Sequence, residues 1–437
     1  MSLTTVILLD VLILILLLIL SVPLPFCFGG ALLFLTLFGN VSMASMMMWG
    51  FNQMIAMVLL ASPLFIFAGL LMANSGIADT LLDFVDLFVG RIKGGLGVVS
   101  TVTCAIIGAI SGSGFTGVAA TGPIMVPRMV AQGYPRGYAT ALVTVSSILG
   151  LLIPPSVTMI IFGWITETSI LACFLSTVGP GLLITLSLSI VNLVWVRKMP
   201  GIILEDLETH KQRRKEMPAR FSKAIPALSI PFVILGGIYG GVFTPTEAAA
   251  VAAILALPIG FWVYKGLNLK NFIPLVRESA TSVGAIMTMI LFTLILSQTF
   301  VMLRVPQMLV QVVFRLTENY WLILFLINIF LFFVGMIVND ITGIILIAPL
   351  LLPLVREMGM NPIQLAAIMG TNLAMGGVTP PYASILYLGM RVGKCEFTDI
   401  FKPTMIFLIV AYIPIIFLTT YWAPLSMWLP TVLGYVK

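Results

Sequence analysis

Charge is scarce in this chain. Asp, Glu, Lys and Arg make up 9% of its 437 residues, against roughly 25% in a soluble domain. Histidine is scarcer still, with His210 alone in the stretch EDLETHKQRRK. A solvated surface role suits it better than a ligand role, and no Ser-His-Asp set can be built around anything else. Cys27, Cys104, Cys173 and Cys395 are scattered without CxxC spacing, so they read as core packing, with no disulfide or metal framework. There is no Walker A glycine loop with its lysine, which excludes ATP hydrolysis by this chain. Enzymatic chemistry has almost nothing to work with. The longest polar stretch is about 27 residues, from Arg197 to Lys223, so no soluble domain can be carved out. The N-terminal apolar run lacks a basic n-region and a small-residue cleavage site, which reads as a retained span rather than a signal peptide.

Apolar sequence is abundant. The chain is 60% hydrophobic, with a mean hydropathy of +1.15. That is an all-α polytopic membrane protein, its length divided into spans of about 20 residues each. Spans are predicted near 3–21, 24–40, 51–73, 139–166, 172–196, 224–243, 246–264, 280–300, 362–390 and 403–423. Two further apolar segments, 97–127 and 321–354, are interrupted midway by Gly, Ser, Asn or Asp, as re-entrant hairpins would be. This arrangement puts 18 of the 22 Lys and Arg residues on one side and four on the other. The positive-inside rule makes the first side cytoplasmic. The hairpins then open to opposite sides, the mark of an inverted repeat, with both termini outside. The net charge of +6 follows from this distribution and does not indicate nucleic-acid binding.

Two helix breaks carry the function. ILGLLIPPS (148–156) and LAMGGVTPPYAS (373–384) lie about 225 residues apart, and each places Gly and then Pro-Pro inside a spanning stretch. Proline removes a backbone donor and clashes with the carbonyl one turn back. The freed groups must line a protein-buried or watery cavity. Paired broken helices in matching positions point to a secondary transporter's binding site. The first hairpin holds GAISGSGFTGVAATGPIMVP (108–127), where Gly permits the turn and Ser offers hydroxyl and carbonyl oxygens. Small residues also serve close helix packing; beside the break, a site is the better reading. The second hairpin holds GMIVNDITG (335–343), with Asp340 deep in the membrane. Direct substrate or ion contact, an N-cap and a solvated cavity wall remain open for it.

Other stretches read as structure. FTPTEAAAVAA (243–253) is a capping box with proline at the first helical position. Residues 81–95 and 305–320 form amphipathic arm helices at the interface. Asp10, near the outer end of the first span, is expected to snorkel.

In combination and order, these motifs resemble the large membrane subunit of TRAP (tripartite ATP-independent periplasmic) transporters. The resemblance includes ASPLFIFAGLLMANSGIADTLLDF (61–84), GAISGSG (108–114), ILGLLIPPS (148–156), GGVFTPTEAAAVAA (240–253), VPQMLVQ (305–311) and NLAMGGVTPP (372–381). It implies a sodium-coupled importer of organic acids in the bacterial inner membrane, working by an elevator motion. Implied partners are a small four-helix membrane subunit, expected as a separate polypeptide, and a periplasmic binding protein. The implied division is scaffold spans at 1–80, a first transport repeat at 81–166, scaffold spans at 167–300 with a cytoplasmic loop at 197–223, a second transport repeat at 301–390 and a C-terminal span at 391–437. Carried over by motif position, one sodium sits with Ser111, Ser113, Gly150, Ile153 and Pro155, and a second with Gly335, Asn339, Gly376, Thr379 and Tyr382. Substrate lies near Thr116, Asp340 and Asn372.

The chain departs from the family pattern at both tips. SGSGFTG stands where members often read SGSS followed by Ala-Asp, and Asn339-Asp340-Ile341 stands where many have Asp-Pro-Thr. Three other readings compete: a stand-alone ion-coupled carboxylate transporter or antiporter, a membrane scaffold with vestigial tips, and, least suited, an ion channel.

Overall fold

The computed structural model describes residues 2–89, 92–202, 217–380 and 383–436. His210, Arg91 and Tyr382, and most of the loop at 197–223, lie outside the described residues. Every regular element among the described residues is helical. The first group is α1 (Leu3–Ile19), α2 (Leu24–Phe38), α3 (Met43–Met54) and α4 (Ala61–Asn74). The arm helix α5 (Ile77–Val89) leads into a helical hairpin, α6 (Gly95–Ser111) and α7 (Gly114–Ala131). A broken helix follows, α8 (Arg136–Ser147) and α9 (Val157–Ile165), and then the long α10 (Ile170–Arg197). After α11 (Met217–Tyr239) and α12 (Pro245–Pro258), the order repeats. α13 (Leu269–Met302) is followed by the arm α14 (Val305–Leu316), the hairpin α15 (Tyr320–Ile337) and α16 (Asp340–Glu357), and the broken helix α17 (Pro362–Gly376) and α18 (Ser384–Gly393). α19 (Phe397–Phe407) passes through a π turn into α20 (Ile413–Tyr421), and α21 (Pro424–Val432) ends the chain.

Seven helices among the described residues are long and apolar enough to cross a membrane. α1 and α2 are shorter apolar helices of 17 and 15 residues. Large apolar side chains on their outer faces, such as Leu12 and Phe26, are exposed, as lipid contact requires. The expected span at 51–73 is corrected. Met43–Met54 is a helix of its own, and the crossing runs from Met57 to Asn74. α3 is set apart because Met46 and Gly50 recur at helical spacing and seat it against α13, where Gly50 faces Leu291 and Ile295. α21 was not anticipated from the sequence. It packs on α10, and Gly179 lets the Leu425 backbone approach. Asp10 does not snorkel. Helical register puts it on the buried stripe with Val6, and neither carboxylate oxygen has a partner.

The capping box is present as read. The Thr244 hydroxyl accepts from the Glu247 amide at 3.3 Å, and the Thr244 amide donates to the Glu247 carboxylate at 2.7 Å.

The two repeats interlock. α9, which follows the first break, packs against α16 of the second hairpin, and α18, which follows the second break, packs against α7 of the first. α4, α12 and α13 pack together on one flank, where α13 also meets α16. α10 packs instead against α6, α9 and α17, and α19 packs against α8. Tyr138, Trp195 and Phe407 cluster where α8, α10 and α19 meet.

Candidate functional site

The first tip is a two-residue turn. Gly112 takes the left-handed conformation, φ +61°, which ends α6 and permits the reversal. Ser113 is extended and precedes α7, but its side chain makes no capping bond. The first turn of α7 carries no acidic residue, so its amides and positive dipole end are left for another acceptor.

That tip lies directly on the first break. A Cβ on Gly108 would collide with the Cα of Gly150, and one on Gly150 would stand 3.0 Å from the Ser113 carbonyl oxygen. A Cβ on Gly112 would stand 3.0 Å from the Pro155 carbonyl oxygen. Glycine is required at these positions because backbone meets backbone. Pro154 and Pro155 cannot donate, so the carbonyls of Gly150 and Leu151 lose their ordinary helical partners. The Leu151 oxygen is recovered by the Ser156 hydroxyl at 2.6 Å. The Ser111 hydroxyl reaches the Ser113 carbonyl only at 3.5 Å. The structure therefore brings Ser111, Ser113, Gly150 and Pro155 together. The Ile153 side chain turns toward Gly181 of α10 and its amide donates to the Leu149 carbonyl at 2.8 Å, which leaves its carbonyl as the part available to a site.

The second half repeats this geometry. Gly335 and Gly376 meet backbone to backbone, and a Cβ on Gly335 would also stand 3.4 Å from the Asn372 carbonyl oxygen. The Gly377 carbonyl accepts from Ile385 N at 3.0 Å. The Thr379 hydroxyl donates to the Met375 carbonyl at 2.8 Å, so its oxygen can still accept. Asn339, not Asp340, is the N-cap of α16, with its Oδ1 accepting from Thr342 N at 2.9 Å. That resolves one alternative left open for Asp340, which stands in the first helical turn.

Both tips line one cavity of about 1330 Å³. Gly112, Ser113 and Thr116 face it from the first tip, and Asn339, Asp340 and Ile341 from the second. The α1–α2 turn and α13 also line it, with Glu278 and Asp340 as its charged lining among the described residues. Thr116 and Asp340 thus share a wall with the tips. Asn372 does not. It is buried, and its amide donates to Asn328 Oδ1 at 2.8 Å and to Ile368 O at 2.9 Å. Sequence reasoning also missed Gly69 of α4, where a Cβ would stand 2.8 Å from Ser111 Cβ and Thr116 Oγ1. Its signal was faint: one glycine in an apolar helix.

Among the described residues, no group of three or more His, Cys, Asp or Glu could hold a metal ion. A cation at the tips would be held by carbonyl and hydroxyl oxygens, a donor set that suits a hard alkali ion better than a transition metal.

Residues 11–423 match the family described as tripartite ATP-independent periplasmic transporter, DctM component. The C4-dicarboxylate TRAP transporter large permease protein DctM of Pseudomonas aeruginosa is 33% identical over 378 residues, 86% of this chain and 87% of that one. The ectoine/5-hydroxyectoine TRAP transporter large permease protein UehC of Ruegeria pomeroyi is 32% identical over 396 residues, 88% of this chain and 89% of that one. Both are named as permeases, not enzymes. The crystal structure of the Alcanivorax borkumensis YdaH transporter aligns with a TM-score of 0.60 over 86% of this chain and 87% of that one, and at 14% identity the likeness is one of fold.

Proposed function

The chain belongs to the DctM component family of tripartite ATP-independent periplasmic transporters, and on that premise we propose that it imports a small organic acid by sodium-coupled elevator movement. It is the large permease of such a system, a multi-pass protein of the bacterial inner membrane. The observation that carries the finer reading is the shared cavity. Two tips from opposite repeats face it, and each is seated on its own helix break through paired glycines.

Sodium at each tip-to-break junction would be held by the carbonyl and hydroxyl oxygens gathered there. The uncapped end of α7 offers free amides to a carboxylate. Coupling follows if the unit moves readily only when empty or fully loaded, since a ligand shifts a conformational equilibrium only by its differential affinity. The moving unit would hold both hairpins and both broken helices. α10 and α19 would travel with it, because they pack on it rather than on α4, α12 and α13. A small membrane subunit would widen the fixed part, and a periplasmic binding protein would deliver the acid. The two relatives differ in named substrate at nearly equal identity, so overall similarity does not select the acid.

The test is uptake into proteoliposomes holding this chain, its small partner subunit and its binding protein. A panel of labelled organic acids is offered with and without an inward sodium gradient. Uptake that needs both sodium and the binding protein is expected. Uptake without sodium would sink the coupling, and uptake without the binding protein would favour a stand-alone carrier.

A further inference from the structure

We propose that each repeat carries a buried hydrogen-bond clamp that sets the register of its tip-to-break junction, and that Asn372 is a positioning residue in the second clamp rather than a substrate contact. The proposal rests on the sodium reading above. In the first repeat, Thr101 Oγ1 of α6 and Ser146 Oγ of α8 lie 2.9 Å apart, both fully buried. In the second, Asn372 Nδ2 of α17 donates to Asn328 Oδ1 of α15 at 2.8 Å, again in the interior.

The two pairs occupy equivalent places. Thr101 stands seven residues before Gly108, and Asn328 stands seven before Gly335. Ser146 stands four before Gly150, and Asn372 stands four before Gly376. Spacings of four and seven keep a helix face constant. Each clamp therefore lies on the same stripe as its glycine contact, one turn back along the broken helix and two turns back along the hairpin. A slip in register would break a buried polar pair and drive a side chain into backbone together. In each repeat the pair fastens the first arm of the hairpin to its broken helix.

The second clamp extends further. Asn328 Oδ1 also accepts from Thr420 Oγ1 at 3.1 Å, and Gln364 Nε2 donates to the Thr420 carbonyl at 3.1 Å, which ties in α20. Asn372 has two amide hydrogens, and both are engaged, by Asn328 and by Ile368 O. No donor is left for a substrate.

The test uses the purified full chain with its small subunit. Its thermal midpoint is titrated with sodium chloride, with choline chloride holding ionic strength constant, because an ion that binds only the folded state raises that midpoint. Single N328A and N372A variants should each need about 3-fold more sodium for half the stabilisation, the size expected of one interhelical hydrogen bond in a membrane. The double N328A/N372A should need no more than either single. N328T/N372S, which installs the first repeat's own pair, should return to the wild-type sodium requirement. If the alanine variants lower the sodium-free midpoint but titrate like the wild type, the clamp is merely structural and the proposal fails. It also fails if N372A shifts the titration and N328A does not. If the alanine variants do not fold, N328T/N372S decides, and an altered sodium requirement in it overturns the clamp. A wild type that sodium does not stabilise would overturn the sodium reading itself, which is a different result.

Discussion

At the scale of single residues, neighbouring glycines have opposite tolerances. A Cβ on Gly376 would run into the Gly335 backbone, whereas one on Gly377 would meet the flexible end of Ile385 at 3.1 Å. G376A should therefore destabilise the fold by about 1–3 kcal/mol, the range of overpacking, and abolish sodium-dependent uptake. G377A should keep uptake within a few-fold of the wild type, and equal losses in both variants would contradict this assignment. Asp10 provides a second case. Its carboxylate is buried without a partner, and removing an unsatisfied buried group relieves about 1–3 kcal/mol. D10L should raise the thermal midpoint and leave uptake intact; a well-folded D10L that cannot transport would show that Asp10 takes part in the cycle. The sequence pointed to Ser111, Ser113, Gly150 and the prolines, which the fold brings together, because Gly and Pro have few structural uses inside a spanning helix. It could not disclose the clamps. Thr101, Ser146 and Asn328 look like any small polar residue on a buried helix, and only the packing of α6 on α8 and α15 on α17 pairs them. Asn372 is placed near substrate only by the motif match of NLAMGGVTPP to the family, and geometry alone shows where its amide hydrogens go.

At the scale of elements, α12 is held at its start by a reciprocal cap. The Glu247 carboxylate accepts from the Thr244 amide and hydroxyl, while the Thr244 hydroxyl accepts from the Glu247 amide. Losing such a cap costs about 0.5–2 kcal/mol. Wild type should thus melt above both T244A and E247A, and T244A/E247A should fall little further than either single variant, because both side chains hold the same helix start. Fully additive losses would mean that the two side chains act separately. This cap was legible beforehand because Thr-Pro-Thr-Glu before an alanine run has few other meanings. The start of α4 was not. Residues 51–73 are apolar enough for one crossing, and the break after Met54 arises from how α3 seats on α13, a contact more than two hundred residues away in the chain. Hairpins and broken helices could be placed because their interruptions are chemical; boundaries set by tertiary packing could not.

At the scale of the whole molecule, the proposed elevator reading divides the chain into two bodies that both line the cavity. α4 and α13 face the tips from one side: Gly69 abuts Ser111 and Thr116, and the Ser297 hydroxyl donates to the Ile345 carbonyl at 2.8 Å. Each contact joins a helix assigned to the fixed body on that reading to a hairpin, so the proposed stroke would have to break both. Leu70 on α4 and Ala119 on α7 come from packed helices and line the same cavity, so a thiol reagent can reach both. The four native cysteines are free and three of them are buried, which makes a background with all four replaced by alanine practical. In that background, L70C/A119C should transport when reduced. Bridging the pair with a short bifunctional thiol reagent should stop uptake, and a reagent cleavable by reductant should restore it. Substrate binding should survive the bridge, because the tips and breaks lie within one body and remain assembled. Full uptake through a bridged protein would mean that the first hairpin does not slide past α4. Transport would then have to come from local opening of the tips, with the paired glycine contacts acting as hinges rather than as parts of a rigid moving unit.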